Sequence, residues 1–492
     1  MRLIQPQQRT LGETPIECIQ FDLQSRDDIP QILRGLQHIY SEPVLRDTVF
    51  GYLWNLVPAD VDADNGRPGM MLWNAFVLAT LRTNLNCDYD RIVELANEHR
   101  TLRMMLGHEG PYSKDVRYCR QTVEDNLHLF TEEILDEINQ AVVKAGHRLF
   151  EKEDEPLAGR CDSFVVETDV EYPTDIRLLQ DAVRKAITIC GKASAEFDGI
   201  SGWRQYEYNC ECIRNLYLKA QRIKHSNSPD ENKKEAQKQK VIKAHESFIE
   251  RAEFYLERAL NTLNILSGIP GAEGLYNELR YYIFWGFHQI GLIRRRVIQG
   301  ETIPHSDKIF SLFEPHTEWV SKGKAGVPVE LGLRVCILED ELGFILHHQV
   351  MEQETDDKVA VSMVRETRER FPNLRLCSFD KGFWSIDNRK ELEELLDKAV
   401  LPKKGGLSKT DREIQTDPEF IAARKQHAAV ESAINALEVH GLDVCPDHGI
   451  DGFKRYVALA VVSRNIQKIG ATLLQRERRA GQIKARRMRL AA

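Results

Sequence analysis

Residues 163–170, SFVVETDV, form a short β-branched and apolar run that stops at Tyr172-Pro173-Thr174-Asp175, a turn suited to capping a helix. The run reads as a buried strand, and nothing before it has the same character. From residue 1 to about 150 the pattern is helical. Between Gly66 and Gly107 an apolar-rich helix, a turn at residues 84–88 and a second amphipathic helix follow one another. That pairing matches a helix-turn-helix unit, although any small helical bundle gives the same periodicity.

Downstream of the strand the chain returns to helix from about Thr174 to Gln299, with a charged break at Ser226–Asn232, and this segment reads as a large helical insertion. Two strand-like runs follow, VELGLRVCILED (329–340) and LGFILHHQVM (342–351), separated by an acidic turn that suits a hairpin. Next come an amphipathic helix at about 357–370, a strand ending LRLCSFD (374–380), a helix at about 387–398, a short strand AVLPKK (399–404) and a long helix carrying Glu431. A further helix runs from Phe453 through Ile469. Without the insertion the order is β, a β-hairpin, then αβαβα, which predicts an α/β fold with a mixed sheet and helices on its faces.

Composition limits what such a fold can serve. The 492 residues leave room for about three domains, and 42% hydrophobic residues suffice for a sizeable core. No apolar stretch reaches the roughly 18 to 20 residues of a membrane helix, and the first residues, MRLIQPQQRTLGETP, lack a signal peptide's apolar centre. The expectation is a soluble, cytoplasmic protein without a membrane partner. Ten cysteines spread from Cys18 to Cys445 are not a secreted disulfide framework and read as reduced thiols. Cys210 and Cys212 lack a second Cys/His pair nearby, so they read as helix side chains and not as a zinc site.

A net charge of −8 argues against a protein that coats nucleic acid with its whole surface, so local basic clusters are what count. There are three: a tail from Gln475 to Leu490, the run Arg294-Arg295-Arg296, and Lys403, Lys404, Lys409 and Arg412. Each taken alone is as well explained by a solvated face as by DNA contact.

Three carboxylates carry the chemistry. Asp169 and Asp380 each follow a predicted buried strand, where ligand sites of α/β sheets lie. On the third element Arg424, His427, Glu431, Asn435 and Glu438 recur at helical spacing on one face, while Val430, Ile434 and Leu437 occupy another. Two carboxylates about 4 Å apart repel by roughly 4 kcal/mol at an effective dielectric near 20, so converging acids need a proton or a cation. Oxygen-only ligands suit Mg²⁺ or Mn²⁺, and a pair of such ions can clamp the attacking and leaving oxygens of a phosphoryl displacement. The implied substrate is a nucleic-acid backbone. Lys381 and the Lys322-Gly323-Lys324 run are candidate phosphate contacts, and ordinary surface lysines are the competing reading. Trp384 suits core packing better than stacking on a base, and His347 and His348 read as structural.

The strings DSFVVETDVEYPTDIRLL (162–179), KGKAGVPVELGLRV (322–335), SFDKGFWS (378–385) and HAAVESAINALEVHGLD (427–443), followed by FKRYVALAVVSRNIQKIG (453–470), resemble the DDE transposases of bacterial insertion sequences, of the ISNCY-type group. RDDIPQILRGLQ (26–37) and GRPGMMLWNAF (66–76) resemble that group's N-terminal region, so the resemblance covers most of the chain. It implies a helical N-terminal DNA-binding domain over 1–150, a ribonuclease H-like catalytic core over 151–470 with its insertion at about 176–300, and a basic tail over 471–492. It also implies Asp169, Asp380 and Glu431 as catalytic and metal-binding residues, holding Mg²⁺ or Mn²⁺, as two ions. The implied substrates are terminal inverted repeats and target DNA, cleaved and then joined by a homodimer or larger assembly. Related transposases often carry tyrosine, arginine and lysine seven before, four before and seven after the glutamate, where this chain has Arg424, His427 and Glu438. Arg424 and His427 therefore remain candidate phosphate contacts, and Glu438 is a rival for the third ligand. Two alternatives fit the same residues: a DNA-binding descendant that no longer cleaves, and a nuclease that hydrolyses without joining.

Overall fold

The computed structural model describes residues 3–5, 12–57, 69–111, 113–223, 229–321 and 329–491. It is a mixed α/β structure that divides into two compact units, one formed by Met1–Asp169 with Val320–Ala492 and the other by Val170–Trp319. The second unit brackets the expected insertion. The first departs from the expected division at residue 150, because the N-terminal helices and the sheet share one continuous apolar core running from Ile19 to Ile469.

The sheet has seven strands: β1 (Leu157–Thr168), β2 (Glu318–Ser321), β3 (Val329–Asp340), β4 (Ile345–Met351), β5 (Leu374–Phe379), β6 (Lys398–Val400) and β7 (Val444–Cys445). β1 is central and begins six residues before the apolar run that marks it in the sequence. At its start Leu157, Gly159 and Cys161 are buried while Ala158, Arg160 and Asp162 are partly exposed, the alternation of a strand with unequal faces. β1 pairs antiparallel with β3, from Gly159↔Asp340 to Glu167↔Gly332, and parallel with β5, from Leu157↔Leu374 to Cys161↔Phe379. β4 adds antiparallel to β3 and β6 adds parallel to β5, which gives the path β4-β3-β1-β5-β6. β7, not expected from the sequence, pairs with Glu167 and Thr168 beyond the reach of β5.

Helices cover both faces, so the strands lose apolar surface to packing on each side. On one face Val359, Ala360, Met363 and Val364 of the Asp356–Arg370 helix join Cys161, Cys336 and Leu338. On the other, the Ala429–Leu437 helix and the C-terminal helix (Gly449–Ala491) pack Val430, Leu437, Phe453 and Val457 on Phe164, Val166 and Val335.

The C-terminal helix binds the N-terminal region to the sheet together with the Glu132–Leu149 helix, whose His147 Nε2 lies 2.7 Å from Asp340 Oδ2. The C-terminal helix crosses the Ile29–Ser41 helix at two glycines, where a Cβ on Gly470 would stand 1.8 Å from the Gln31 carbonyl oxygen and one on Gly35 would stand 2.1 Å from that of Ile466. Asn465 then ties three elements together. Its amide donates to Asn139 Oδ1 at 2.7 Å and to the Ile345 carbonyl at 2.9 Å, and it accepts from the Ile345 amide at 3.0 Å. A buried pair, Arg82–Asp447 at 3.2 Å, fixes the start of the same helix, and Arg455 also reaches Asp447 at 2.9 Å.

The expected helix-turn-helix pair falls on one core helix and one half-exposed helix. All 13 residues of the Leu72–Asn84 helix are buried, and the following Tyr89–Glu98 helix exposes Asp90, Arg91, Glu94 and Glu98. Each of these acids has an arginine partner, Glu94 with Arg91 at 2.5 Å, Asp90 with Arg120 at 3.0 Å and Glu98 with Arg117 at 3.8 Å, so this outer face is close to charge-balanced. The tail expected over 471–492 continues the C-terminal helix to Ala491, with Arg479, Lys484, Arg486 and Arg487 exposed along it.

Candidate active site

The site is built where the two parallel central strands run out together. Cys161 pairs with Phe379, the last residue of β5, so Asp162 and Asp380 follow one step later on neighbouring strands that lie about 4.8 Å apart. Side chains alternate along a strand, so Asp162 shares its face of β1 with Phe164 and Val166. Those two residues pack against Val430, Ala433 and Leu437, which sets the helix bearing Glu431 on the same side of the sheet as Asp162. Glu431 stands in the first turn of that helix and is exposed, as is Asp380.

The electrostatics of Asp162 follows from this grouping. Burial pushes the Asp162 carboxyl up to about 6, and the negative charges of Asp380, Asp356 and Glu431 push the same way, against the Ser163 amide that hydrogen-bonds the carboxylate. Among the described residues no lysine or arginine forms an ion pair with Asp162, Asp380 or Glu431. The cluster therefore holds uncompensated negative charge.

Local packing fixes the second aspartate. Asp380 opens a 3-10 turn, Lys381–Phe383, whose Phe383 is buried with its ring 5.6 Å from Phe379. Asn388 donates to the carbonyls of Phe383 at 2.8 Å and Asp357 at 2.7 Å, which ties the turn to the Asp356–Arg370 helix. A Cβ on Gly382 would stand 2.7 Å from Asp356 Oδ2, so a side chain there would displace the Asp356 carboxylate. Asp356 in turn accepts from Ser163 Oγ at 2.7 Å, and so a fourth carboxylate borders the cluster.

His427 faces the acids from the end of the Pro418–His427 helix. Burial lowers its pKa and Arg160 lowers it further, while Asp380 and Glu431 raise it, so the imidazole is neutral at neutral pH. Its Nδ1 lies 3.1 Å from Ser378 Oγ, and its buried Nε2 has no hydrogen-bond partner. With the Ser378 hydroxyl donating to the Gly159 carbonyl at 3.4 Å, Nδ1–H donates to Ser378 and Nε2 is left a bare acceptor.

The structure brings together Asp380, Glu431 and His427 of the expected residues, and it does not bring Asp169. That residue is exposed, one position beyond the end of β1 and seven beyond Asp162, a run of about 20 Å at strand rise. The place assigned to it is filled by Asp162. The cause of the misplacement is the polar pair Arg160 and Asp162, which makes the apolar run seem to start at Ser163; the period-two alternation from Leu157 is the signal that identifies the longer strand. Asp356, Ser378 and Arg160 also went unmarked in the sequence. Glu438 begins a π-helical turn about two helical turns past Glu431 and is not among the charges acting on Asp162.

Of the candidate phosphate contacts, Lys381 is exposed beside Asp380, and Arg424 is exposed on the His427 helix. Lys322 and Lys324 lie outside the described residues. Trp384 packs against the main core with Lys403 Nζ 5.5 Å from its ring centre. His347 and His348 are buried on β4, with Arg370 Nη1 2.9 Å from His347 Nδ1. The Arg294–Arg296 run is internally neutralised by Glu253, Glu301, Asp307 and Asp175. All ten cysteines are free thiols.

Among the described residues no three His, Cys, Asp or Glu side chains converge closely enough to chelate one ion as they stand, and no helix is long and apolar enough to cross a membrane. No protein-family model, curated protein or solved structure matches the chain.

Proposed function

We propose that this chain is a DDE-type transposase with a ribonuclease H-like core, cleaving DNA at the ends of an insertion sequence and joining them to target DNA, with Asp162, Asp380 and Glu431 as its acidic residues. The observation that carries the reading is the side-by-side placement of Asp162 and Asp380 on parallel strands with Glu431 on the helix packed over the same face. The strand path β4-β3-β1-β5-β6, with β3 alone reversed between parallel neighbours, supports the fold assignment.

The donor set fits a hard divalent cation: carboxylates only, without an ion-pair partner among the described residues, with Asp162 raised by burial and further by the charges of Asp380, Asp356 and Glu431. Asp162, Asp380 and Glu431 would hold Mg²⁺ or Mn²⁺, which supplies charge neutralisation and Lewis acidity at the scissile phosphate.

The chain's own residues supply the rest. Lys381 and Arg424, exposed on the rim, hold the DNA backbone by charge without reading sequence. His427, its pKa lowered by burial, stands near Asp380 and Glu431 as a neutral imidazole, so its part is to orient or take a proton and not to bind phosphate by charge. Asn388, bonded to the Phe383 carbonyl, holds the turn that follows Asp380.

The test is strand cleavage and joining on duplexes carrying the repeats that flank the gene, with Mg²⁺ or Mn²⁺. Wild type should give nicked and joined products, and Asp162→Asn and Asp380→Asn should give neither. Undiminished cleavage in both variants would sink the assignment. Hydrolysis without joined products would make the enzyme a nuclease.

A further inference from the structure

The Val170–Trp319 unit holds a cavity of about 240 Å³ that the proposed chemistry does not use. It lies between the first turn of the Asp175–Glu196 helix, the end of the Glu273–Ile293 helix with its π-helical continuation, and the segment 308–319. Gln289, Leu292 and Arg296 reach it from positions i, i+3 and i+7, which share one helix face.

Three features of the lining are unusual together. Gln289 is fully buried, yet neither its amide nitrogen nor its amide oxygen has a hydrogen-bond partner. A donor and an acceptor left unmet in the interior are costly, and native interiors rarely keep such pairs without a reason. Beside it stands an aromatic wall, in which the Trp319 ring lies 5.8 Å from Tyr172 and 5.6 Å from Phe310. At the mouth is Lys308, exposed and without a carboxylate partner among the described residues, whereas Arg296 is occupied by Asp175 at 2.5 Å.

A primary amide presents one donor beside one acceptor. Adenine presents the complement, an amino group beside a ring nitrogen, whereas guanine offers two adjacent acceptors on its major-groove edge. Aromatic side chains accept the face of any base, and a free lysine accepts a phosphate as a point charge. We propose that this cavity binds an adenine nucleotide, with the base against the Tyr172–Trp319–Phe310 wall, its amino edge on the Gln289 amide and its phosphate at Lys308. The ligand has two sources with the same chemistry, a free nucleotide or an unpaired adenine in DNA. The inference does not depend on the proposed cleavage, since binding is read without divalent cation or reaction.

Calorimetry on the full chain decides it, using AMP, GMP, the purine riboside monophosphate that lacks the 6-amino group, and single-stranded oligo-dA and oligo-dC of equal length. AMP or oligo-dA should bind saturably, and removal of the amino group should weaken binding about tenfold or more. Preference for AMP assigns a free nucleotide, and preference for oligo-dA over oligo-dC with weak AMP assigns an unpaired base. Lys308→Ala should weaken AMP while leaving adenosine unchanged, and Gln289→Leu should erase the distinction between AMP and the purine riboside monophosphate. The analogue series probes the same contact if Gln289→Leu fails to fold. Absence of saturable binding by both AMP and oligo-dA overturns the proposal, as does equal binding of AMP and GMP.

Discussion

Asp162 and Asp380 stand abreast on adjacent parallel strands, each one step beyond the Cys161–Phe379 pair. Position along the strand therefore separates the two aspartates of β1's vicinity, since Asp169 lies past the end of β1. Asp162→Asn should lower metal-dependent strand cleavage by about 10²- to 10³-fold, the equivalent of losing roughly 3 to 4 kcal/mol of transition-state stabilisation. Asp169→Asn should stay within a few-fold of wild type. Gel-based cleavage rates on one substrate compare the two directly, and the reverse order of effects would move the site to the far end of the strand.

The raised carboxyl of Asp162 makes stability depend on pH in a definite direction. An unfolded aspartate titrates near 3.9, and in the folded chain this one is pushed up to about 6. Below about pH 4 it is protonated in both states and contributes nothing. Between about pH 4 and 6 the unfolded chain ionises first, so stability falls as pH rises, and above 6 the loss is complete. The full shift corresponds to roughly 2.9 kcal/mol, which partial exposure reduces to about 1 to 2 kcal/mol. Asp162→Asn should accordingly be more stable than wild type at pH 8 and equal to it at pH 4. Urea denaturation at the two pH values measures this, and because Glu339 also titrates near 6 the comparison with the variant isolates Asp162.

Much of the sheet was legible because its strands are apolar runs bounded by turns. LRLCSFD ends on Asp380, and the hairpin of β3 and β4 falls where its two runs do. β1 was legible only in part, because a strand that carries a buried charge on one face breaks the apolar run used to find it. The joining of the N-terminal helices to the sheet was not legible at all. It depends on Gly35 meeting Ile466 and on Asn465 meeting Ile345, contacts between residues too distant for any local period to register.

A cation should reverse the penalty at Asp162. A ligand bound only by the folded state adds about 2.7 kcal/mol at a hundred times its dissociation constant. Mn²⁺ at pH 8 should raise the unfolding temperature of the wild type and leave that of an Asp162→Asn/Asp380→Asn double variant unchanged. Equal shifts in both proteins would place the ion elsewhere.

Asn465 separates the loss of a contact from the burial of a charge. Asn465→Ala leaves the Ile345 amide without its acceptor and opens a small cavity, for a loss of about 2 to 3 kcal/mol. Asn465→Asp keeps that acceptor, but it sets a carboxylate against Asn139 Oδ1 and the Ile345 carbonyl, both of which now receive the amide's protons. It should be the more destabilising of the two at pH 8, with the gap narrowing as acid protonates the new carboxyl. Chemical denaturation across pH tests the order.

Gly470 and Gly481 occupy the same C-terminal helix and should respond to alanine with opposite signs. At Gly481 a Cβ meets nothing within 4 Å, so alanine adds helix propensity without a clash and should stabilise by about 0.5 to 1 kcal/mol. At Gly470 the Cβ would lie 1.8 Å from the Gln31 carbonyl oxygen and 2.6 Å from the Gly35 amide nitrogen. Both are backbone atoms, which cannot swing aside as a flexible side chain can, so the two helices must separate along their crossing. The loss should reach or exceed about 3 kcal/mol, the upper end for overpacking. Separation there also pulls the C-terminal helix from the sheet that carries Asp162, so Gly470→Ala should lose cleavage activity together with stability, while Gly481→Ala should keep it. A Gly470→Ala protein as stable as wild type would mean that the crossing is looser than the glycine contacts require.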